Sequence, residues 1–288
     1  MNKFKILPLL LISLLMFQCA DQEYPAQEQL QKDKKLIDAY AAENSLEGSY
    51  IFNDIFKATT KSPTGSSNPA ANDGVRVKYN MSLLDGTVID SDTVFYQHGQ
   101  QFFIESFEAS LSSMKKGEVS TFLIPSFYAY GAQPTTTNDS SVTIPANSVI
   151  KLDLELFDIV LPKHVPQAYA YYENIEGDTT GSGIFYTITT PGGGAEVADG
   201  QTVSVKYKGY LLNGFEFDSG DSFSFVLGSS TVIAGWEEAI SLLKIGDKAT
   251  IVIPSALAYK STPQFKAGKM IIPANAVLIF DIEVLDAK

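Results

Sequence analysis

Cysteine is almost missing: the 288 residues carry one, Cys19. A lone thiol closes no intramolecular disulfide, so no disulfide framework braces this chain. Histidine is nearly as scarce. His98 and His164 have no Cys or carboxylate pattern at ligand spacing beside them, which argues against a zinc centre or a Ser-His-Asp triad. Both read as surface or satisfied core histidines. Cations are outnumbered, with 21 Lys and Arg against 33 Asp and Glu and a formal net charge of −12. Nucleic-acid binding needs clustered Lys and Arg, so no nucleic-acid partner is expected. A phosphate-binding Walker loop is missing too: Pro191-Gly192-Gly193-Gly194 lacks the Gly-Lys-Ser/Thr ending and reads as a turn. The one long apolar run, Ile6 to Phe17, is too short to span a bilayer as a permanent helix.

What is present suits packed cores: 45% of residues are hydrophobic and 11% aromatic. Lys3 and Lys5 ahead of the apolar run make residues 1–18 read as a signal peptide. Cys19 follows directly, in a position that resembles a bacterial lipoprotein acceptor site, although Met16-Phe17-Gln18 departs from the usual small residues. A lipid on Cys19 would tie the protein to a membrane of the bacterial cell envelope, on the periplasmic or outer-membrane face. With Lys3 and Lys5 removed, the formal charge moves from −12 to −14. The alternative is a cleaved, soluble secreted protein with an incidental cysteine.

Residues 19–45 read as a polar tether to about Gln31, then a helix from Asp33 to Asn44 with Leu36, Ile37, Tyr40 and Ala41 on one face. Tyr50 to Phe56 reads as a strand. Thr59 to Asp73, rich in Ser, Thr, Pro, Asn and Gly, reads as a loop. Beyond it the chain is written twice. Tyr79 to Tyr207 and Asp90 to Asp218 are separated by 128 residues. Phe107 to Trp236, Pro125 to Pro254 and Tyr130 to Tyr259 are separated by 129, and Pro145 to Pro273 by 128 again. A near-constant offset over strands, helix and turns means two homologous domains in tandem, 46–160 and 183–288, joined by a connection at 161–182 with a short helix near Tyr169. In each copy one short helix meets several turn-connected strands, which indicates α+β with a mainly antiparallel sheet.

The second copy carries the densest motif, Asn213 to Asp247. Asn213-Gly214 marks a tight turn. Phe215 and Phe217, then Phe223 and Phe225, alternate with polar partners as half-buried strand. Trp236, Ile240 and Leu243 follow at helical spacing, with Gly246 as terminator. With Ile253-Pro254-Ser255, Ala258-Tyr259, Ile271-Ile272-Pro273-Ala274-Asn275-Ala276 and Phe280-Asp281, this stretch resembles the FKBP-type peptidyl-prolyl isomerases over roughly Gly183 to Leu285. The resemblance implies a sheet curled around the helix, with a pocket between them.

An isomerase of this kind rotates an X–Pro bond over a barrier of about 18–20 kcal/mol. No bond breaks, so no nucleophile, metal or cofactor is required; the site must bind the twisted imide better than the planar one. By resemblance, Trp236 forms the pocket floor, with Tyr207, Phe217, Phe223, Val232, Ile233, Ile272 and Phe280 around the proline ring. Tyr259 would donate to a substrate carbonyl, and the Ile233 N–H would hold another. Asp218 would sit beside the imide, acting either electrostatically or by orienting Tyr207. Strict alternation sets Phe217 and Asp218 on opposite faces, so the strand must bend, with Ser219-Gly220 the candidate bend. Lys260 departs from the family's usual glycine, and the loop Lys260 to Ile271 looks long.

The first copy keeps Tyr79, Asp90, Ile104 and Tyr130. It has Ile89 for Phe217, Phe107 for Trp236, Val94 for Phe223, Leu152 for Phe280 and Ser106 for Gly235. A wider, less aromatic pocket is expected there, either a weaker isomerase site or a spacer or peptide-binding module. The expected function is isomerisation of X–Pro bonds in unfolded or nascent clients, mainly by the second domain. The rivals are a non-catalytic chaperone and a structural envelope lipoprotein. Self-association has no sequence signature.

Overall fold

A computed structural model describes residues 25–100, 103–137 and 141–288. Residues 1–18, Lys3, Lys5 and Cys19 lie outside them. Among the described residues no helix is long and apolar enough to cross a membrane.

Helix α1 (Pro25–Glu43) leads into the first domain: β1 (Ser49–Tyr50), β2 (Phe56–Lys61), β3 (Gly74–Leu83), β4 (Val88–Gln97), α2 (Glu105–Ser112), β5 (Val119–Ile124), β6 (Thr135–Thr136), β7 (Thr143–Ile144) and β8 (Ile150–Val160). After α3 (Val165–Tyr172) comes the second: β9 (Asp178–Thr179), β10 (Phe185–Thr190), β11 (Thr202–Leu211), β12 (Glu216–Val226), α4 (Ala234–Ile240), β13 (Lys248–Ile253), β14 (Gln264–Lys266), β15 (Lys269–Ile272) and β16 (Leu278–Ala287). The main sheets have one order, β1-β2-β5-β8-β3-β4 and β9-β10-β13-β16-β11-β12, with antiparallel pairing throughout. Each is an α+β unit in which one short helix buries a face against the sheet: Phe107 and Leu111 from α2, Trp236 and Ile240 from α4.

The offset change has a visible cause. In the first domain Val77 pairs with Val94 and Tyr79 with Asp92, an unbroken ladder. In the second, Val205 pairs with Phe223 but Tyr207 with Gly220, so β12 holds one extra residue. That inserted residue is a bulge, and it turns the offset from 128 into 129.

Several expectations are corrected. Helix α1 covers Pro25–Glu43, so residues 25–31 of the stretch expected as tether are helical. Asp33 is not near its start but fully buried in its middle. One of its carboxylate oxygens accepts from the Ser126 N–H at 2.8 Å and the Ser126 hydroxyl at 2.6 Å. With Ile37 and Ala41 packed on Phe56, Ala58 and Leu123, α1 is a fixed part of the first domain. Tyr50 to Phe56 is not one strand, because a 3-10 turn at Phe52–Asp54 separates β1 from β2, and β2 runs into the expected loop. Helix α4 ends at Ile240; Gly246 (φ +90°) instead shapes the turn into β13, and Leu243 is buried beyond the helix. At the Asn213-Gly214 turn only Gly214 takes positive φ, while the Asn213 side chain accepts the Phe215 N–H. Phe215 remains 46% exposed.

The connection is not a free linker. Val165 and Ala170 of α3 pack with Phe95 of β4 and with Phe185, Val252, Val277 and Ile279 of the second domain, forming an apolar cluster between the domains. Tyr172 extends it, with its ring 5.0 Å from Phe95 and the Arg76 guanidinium 4.9 Å from its centroid.

Candidate functional site

Between β11, β12, α4 and β16 an open cavity of about 360 Å³ is lined by Tyr207, Phe217, Asp218, Phe223, Thr231, Val232, Ile233, Trp236, Tyr259 and Phe280. Nine of the residues expected from the sequence meet here. Ile272 does not: it is buried in the core beneath, 3% exposed. Thr231 was missed, because it lies in an irregular loop that no periodicity marks.

The strand bends as required, but at a different residue. Gly209 pairs with Asp218 and Tyr210 with Glu216, which leaves Phe217 as the extra residue of a bulge. The bulge lets Phe217 and Asp218 both reach the pocket. Gly209 makes room for this: a Cβ there would stand 2.6 Å from the Phe217 ring and 2.8 Å from Phe280.

Trp236 is the floor. Tyr207 and Phe280 meet it edge-on with centroids 5.0 and 5.2 Å away, and Phe223 at 6.0 Å. Such pairs are worth about 0.5–1.5 kcal/mol each beyond their buried area, so the cage is preorganised. The indole Nε1–H is buried with no acceptor among the described residues. Above the floor the Tyr207 hydroxyl donates to Asp218 at 2.7 Å. Burial, then that bond, pushes the Tyr207 pKa up to about 12. Burial, then the Asp218 charge, raises Tyr259 as well. Both hydroxyls therefore remain protonated donors at neutral pH. The folded Tyr207 holds its proton more tightly than an unfolded tyrosine near 10, so this stabilisation is complete below pH ~10 and lost toward pH ~12. Thermal unfolding followed across that range should show the loss, and Tyr207→Phe should remove this residue's share of it.

The long loop after Tyr259 is not irregular throughout: β14 and β15 form a hairpin. It carries Lys266 to 3.5 Å from Asp218, with both side chains substantially exposed. An exposed pair of this kind contributes little to stability. Lys260 sits at φ +54°, where its first-domain counterpart Gly131 sits at +78°. A non-glycine residue in the left-handed region costs about 1–2 kcal/mol. Lys260→Gly should therefore stabilise the protein by about 1 kcal/mol; an unchanged or lower unfolding temperature would contradict this.

The first domain gathers Tyr79, Ile89, Asp90, Ile104, Phe107, Tyr130 and Leu152 into one core region, and Tyr79 donates to Asp90 at 2.7 Å. Among the described residues, ring packing fills the place where the wider pocket was expected. Phe103, opposite Val232 of the second copy, stacks on the Phe107 floor with centroids 3.9 Å apart and planes at 15°, and meets Tyr79 edge-on. Met81 stands where Gly209 does, and its sulfur takes the Tyr130 hydroxyl at 3.3 Å. Floor and donor are both occupied from within. No group of His, Cys, Asp and Glu able to hold a metal occurs among the described residues.

Comparison with known proteins identifies the family. A profile of the FKBP-type peptidyl-prolyl cis-trans isomerase family matches twice, at residues 65–157 and 193–285. The isomerase FkpA of Escherichia coli K12 is 42% identical over 114 residues, covering 38% of this chain and 40% of that protein. FKBP9 of Rattus norvegicus is 28% identical over 271 residues, covering 91% of this chain and 42% of its own length. The chain thus spans well under two thirds of either relative. The crystal structure of the three FKBP domains of wheat FKBP73 covers 81% of this chain, and 94% of its own, at 25% identity and a TM-score of 0.37. Together the two profile matches cover more than half of the chain, which belongs to the FKBP-type peptidyl-prolyl cis-trans isomerase family.

Proposed function

We propose that this protein isomerises X–Pro bonds of unfolded or nascent client polypeptides, with catalysis in the second domain. The observation that carries this is the open aromatic cage over Trp236 with Asp218 and Tyr259 at its mouth. A proline ring seated on the indole leaves water. The planar imide, being more dipolar, loses more by that than the twisted one. The Tyr259 hydroxyl, which nothing accepts among the described residues, donates to a substrate carbonyl, and the Ile233 N–H holds a second. Asp218 both orients Tyr207 and places a negative charge beside the imide carbonyl carbon as it loses conjugation.

The filled first-domain pocket favours a scaffolding role for that half. The deciding experiment uses the full chain, because cutting at Gly183 would strip cover from Val252, Val277 and Ile279. Refolding of a client limited by proline isomerisation should accelerate in proportion to enzyme concentration. If the client is held without acceleration, the chaperone reading replaces this one.

The protein's place is the bacterial cell envelope, anchored by a lipid on Cys19; the support is the charged, apolar, then cysteine order of the leader. Cys19→Ala should move the protein from the membrane fraction to the soluble one. Retention in the membrane fraction contradicts the anchor.

A further inference from the structure

The turn from β15 to β16, residues 273–277, runs from the core residue Ile272 back into the sheet, and the first domain holds its main chain. Gln97, at the end of β4, is only 4% exposed. Its Oε1 accepts from the Val277 N–H at 3.0 Å, and its Nε2 donates to the Asn275 carbonyl at 2.9 Å and the Asn72 carbonyl at 3.2 Å. Gln100 donates to the Ala274 carbonyl at 3.0 Å and to the Asn72 side chain at 2.9 Å. Three of five residues in the turn thus find partners on the other domain, and buried main-chain groups left unpaired would be costly.

This turn leads to the pocket. Asn275, itself at φ +61°, donates its N–H to the Lys260 carbonyl at 2.6 Å. Lys260 directly follows Tyr259 and is held in the left-handed region. The first domain contains the matching internal bond, Asn147 N–H to Gly131 at 2.9 Å, but there the residue in the left-handed region is a glycine. In the second domain a lysine occupies that conformation against its preference, and the turn that ties it down is itself gripped from outside. Glutamines at a strand end and in the turn after it carry no local sequence signature, so nothing in the chain read alone marked them.

We propose that Gln97, assisted by Gln100, is a positioning residue for Tyr259: the first domain holds the 273–277 turn, and through Asn275 and Lys260 that turn sets where the tyrosine hydroxyl stands. The diverged first domain is then a structural subunit of the second domain's site. This rests on the isomerase reading for its kinetic consequence but not for its structural one.

The test is Gln97→Met in the full chain, which keeps length and volume and removes all three hydrogen bonds. Amide exchange at Val277 and Asn275 should quicken, and the Tyr259 ring resonances should shift. The kcat for a proline-containing peptide should fall about fivefold with KM within about twofold, as misplacement of a transition-state donor requires. Gln97→Glu keeps an acceptor for Val277 but sets a carboxylate oxygen against the Asn275 and Asn72 carbonyls, so it should not restore kcat. Unmoved Tyr259 resonances despite faster exchange would overturn the proposal, as would unchanged exchange at both amides. A wild-type chain without catalysis would instead sink the isomerase reading, and the resonances alone would then decide the positioning. If Gln97→Met does not fold, the partly exposed Gln100→Met carries the same measurements.

Discussion

Asp218→Val in the full chain should lower kcat/KM for X–Pro isomerisation at least about tenfold, while Asp90→Val leaves it within about twofold. Asp218 accepts the Tyr207 hydroxyl at 2.7 Å in an open cavity, whereas Asp90 makes the same bond beside a floor that Phe103 covers. A hydrogen bond to a charged group is worth about 1.5–3 kcal/mol. Realised fully in the transition state, that is roughly ten- to a hundredfold in rate. Tyr259→Phe against Tyr130→Phe should split in the same direction, because Met81 already occupies the Tyr130 hydroxyl. Both domains are enzymes if the Asp90 and Tyr130 variants lose as much activity as their partners. The single tryptophan of the chain lies at the second pocket, so peptide binding to that site can be read from its fluorescence alone.

Asp33→Ala should destabilise the protein by about 2–4 kcal/mol although it lies outside both pockets. The carboxylate is fully buried and accepts from the Ser126 N–H, the Ser126 hydroxyl and the Gln29 side chain. Alanine leaves two donors at Ser126 buried without acceptors, each worth about 1–3 kcal/mol. Asparagine retains one acceptor and should lose less. Limited proteolysis of the folded variant should cut within α1 well before the wild type is cut. If α1 of Asp33→Ala resists as the wild type does, the carboxylate is not what fastens the helix.

The doubled architecture was legible because it rests on many positions at once: Tyr79 and Tyr207, Pro125 and Pro254, Tyr130 and Tyr259 maintain one spacing. The aromatic cage was legible for the same reason. Its bend could be inferred from parity alone, since Phe217 and Asp218 cannot share a face of a regular strand, although the bulge falls at Phe217 and not at Ser219-Gly220. What escaped depends on single side chains in three dimensions. An acidic residue near a helical pattern looks like a helix start, and only the fold brings Ser126 to Asp33 across 93 positions. Phe103 sits in an unpatterned loop; whether its ring points outward or onto Phe107 is a packing outcome. Ile272 belongs to a family motif but is buried in the core and does not line the cavity.

The inserted residue of β12 has a consequence for anyone exchanging parts between the halves. Strand side chains alternate, so one added residue reverses which parity faces inward for everything beyond it. A chimera joined upstream of Gly220 must be aligned at 128, one joined between Ser222 and Tyr259 at 129, and one joined from Pro273 onward at 128 again. A crossover placed within that step without its bulge would turn Phe223 and Phe225 outward and bring Ser222 and Ser224 in. The two domains share one blueprint, yet they are interchangeable only in pieces that respect this phase break.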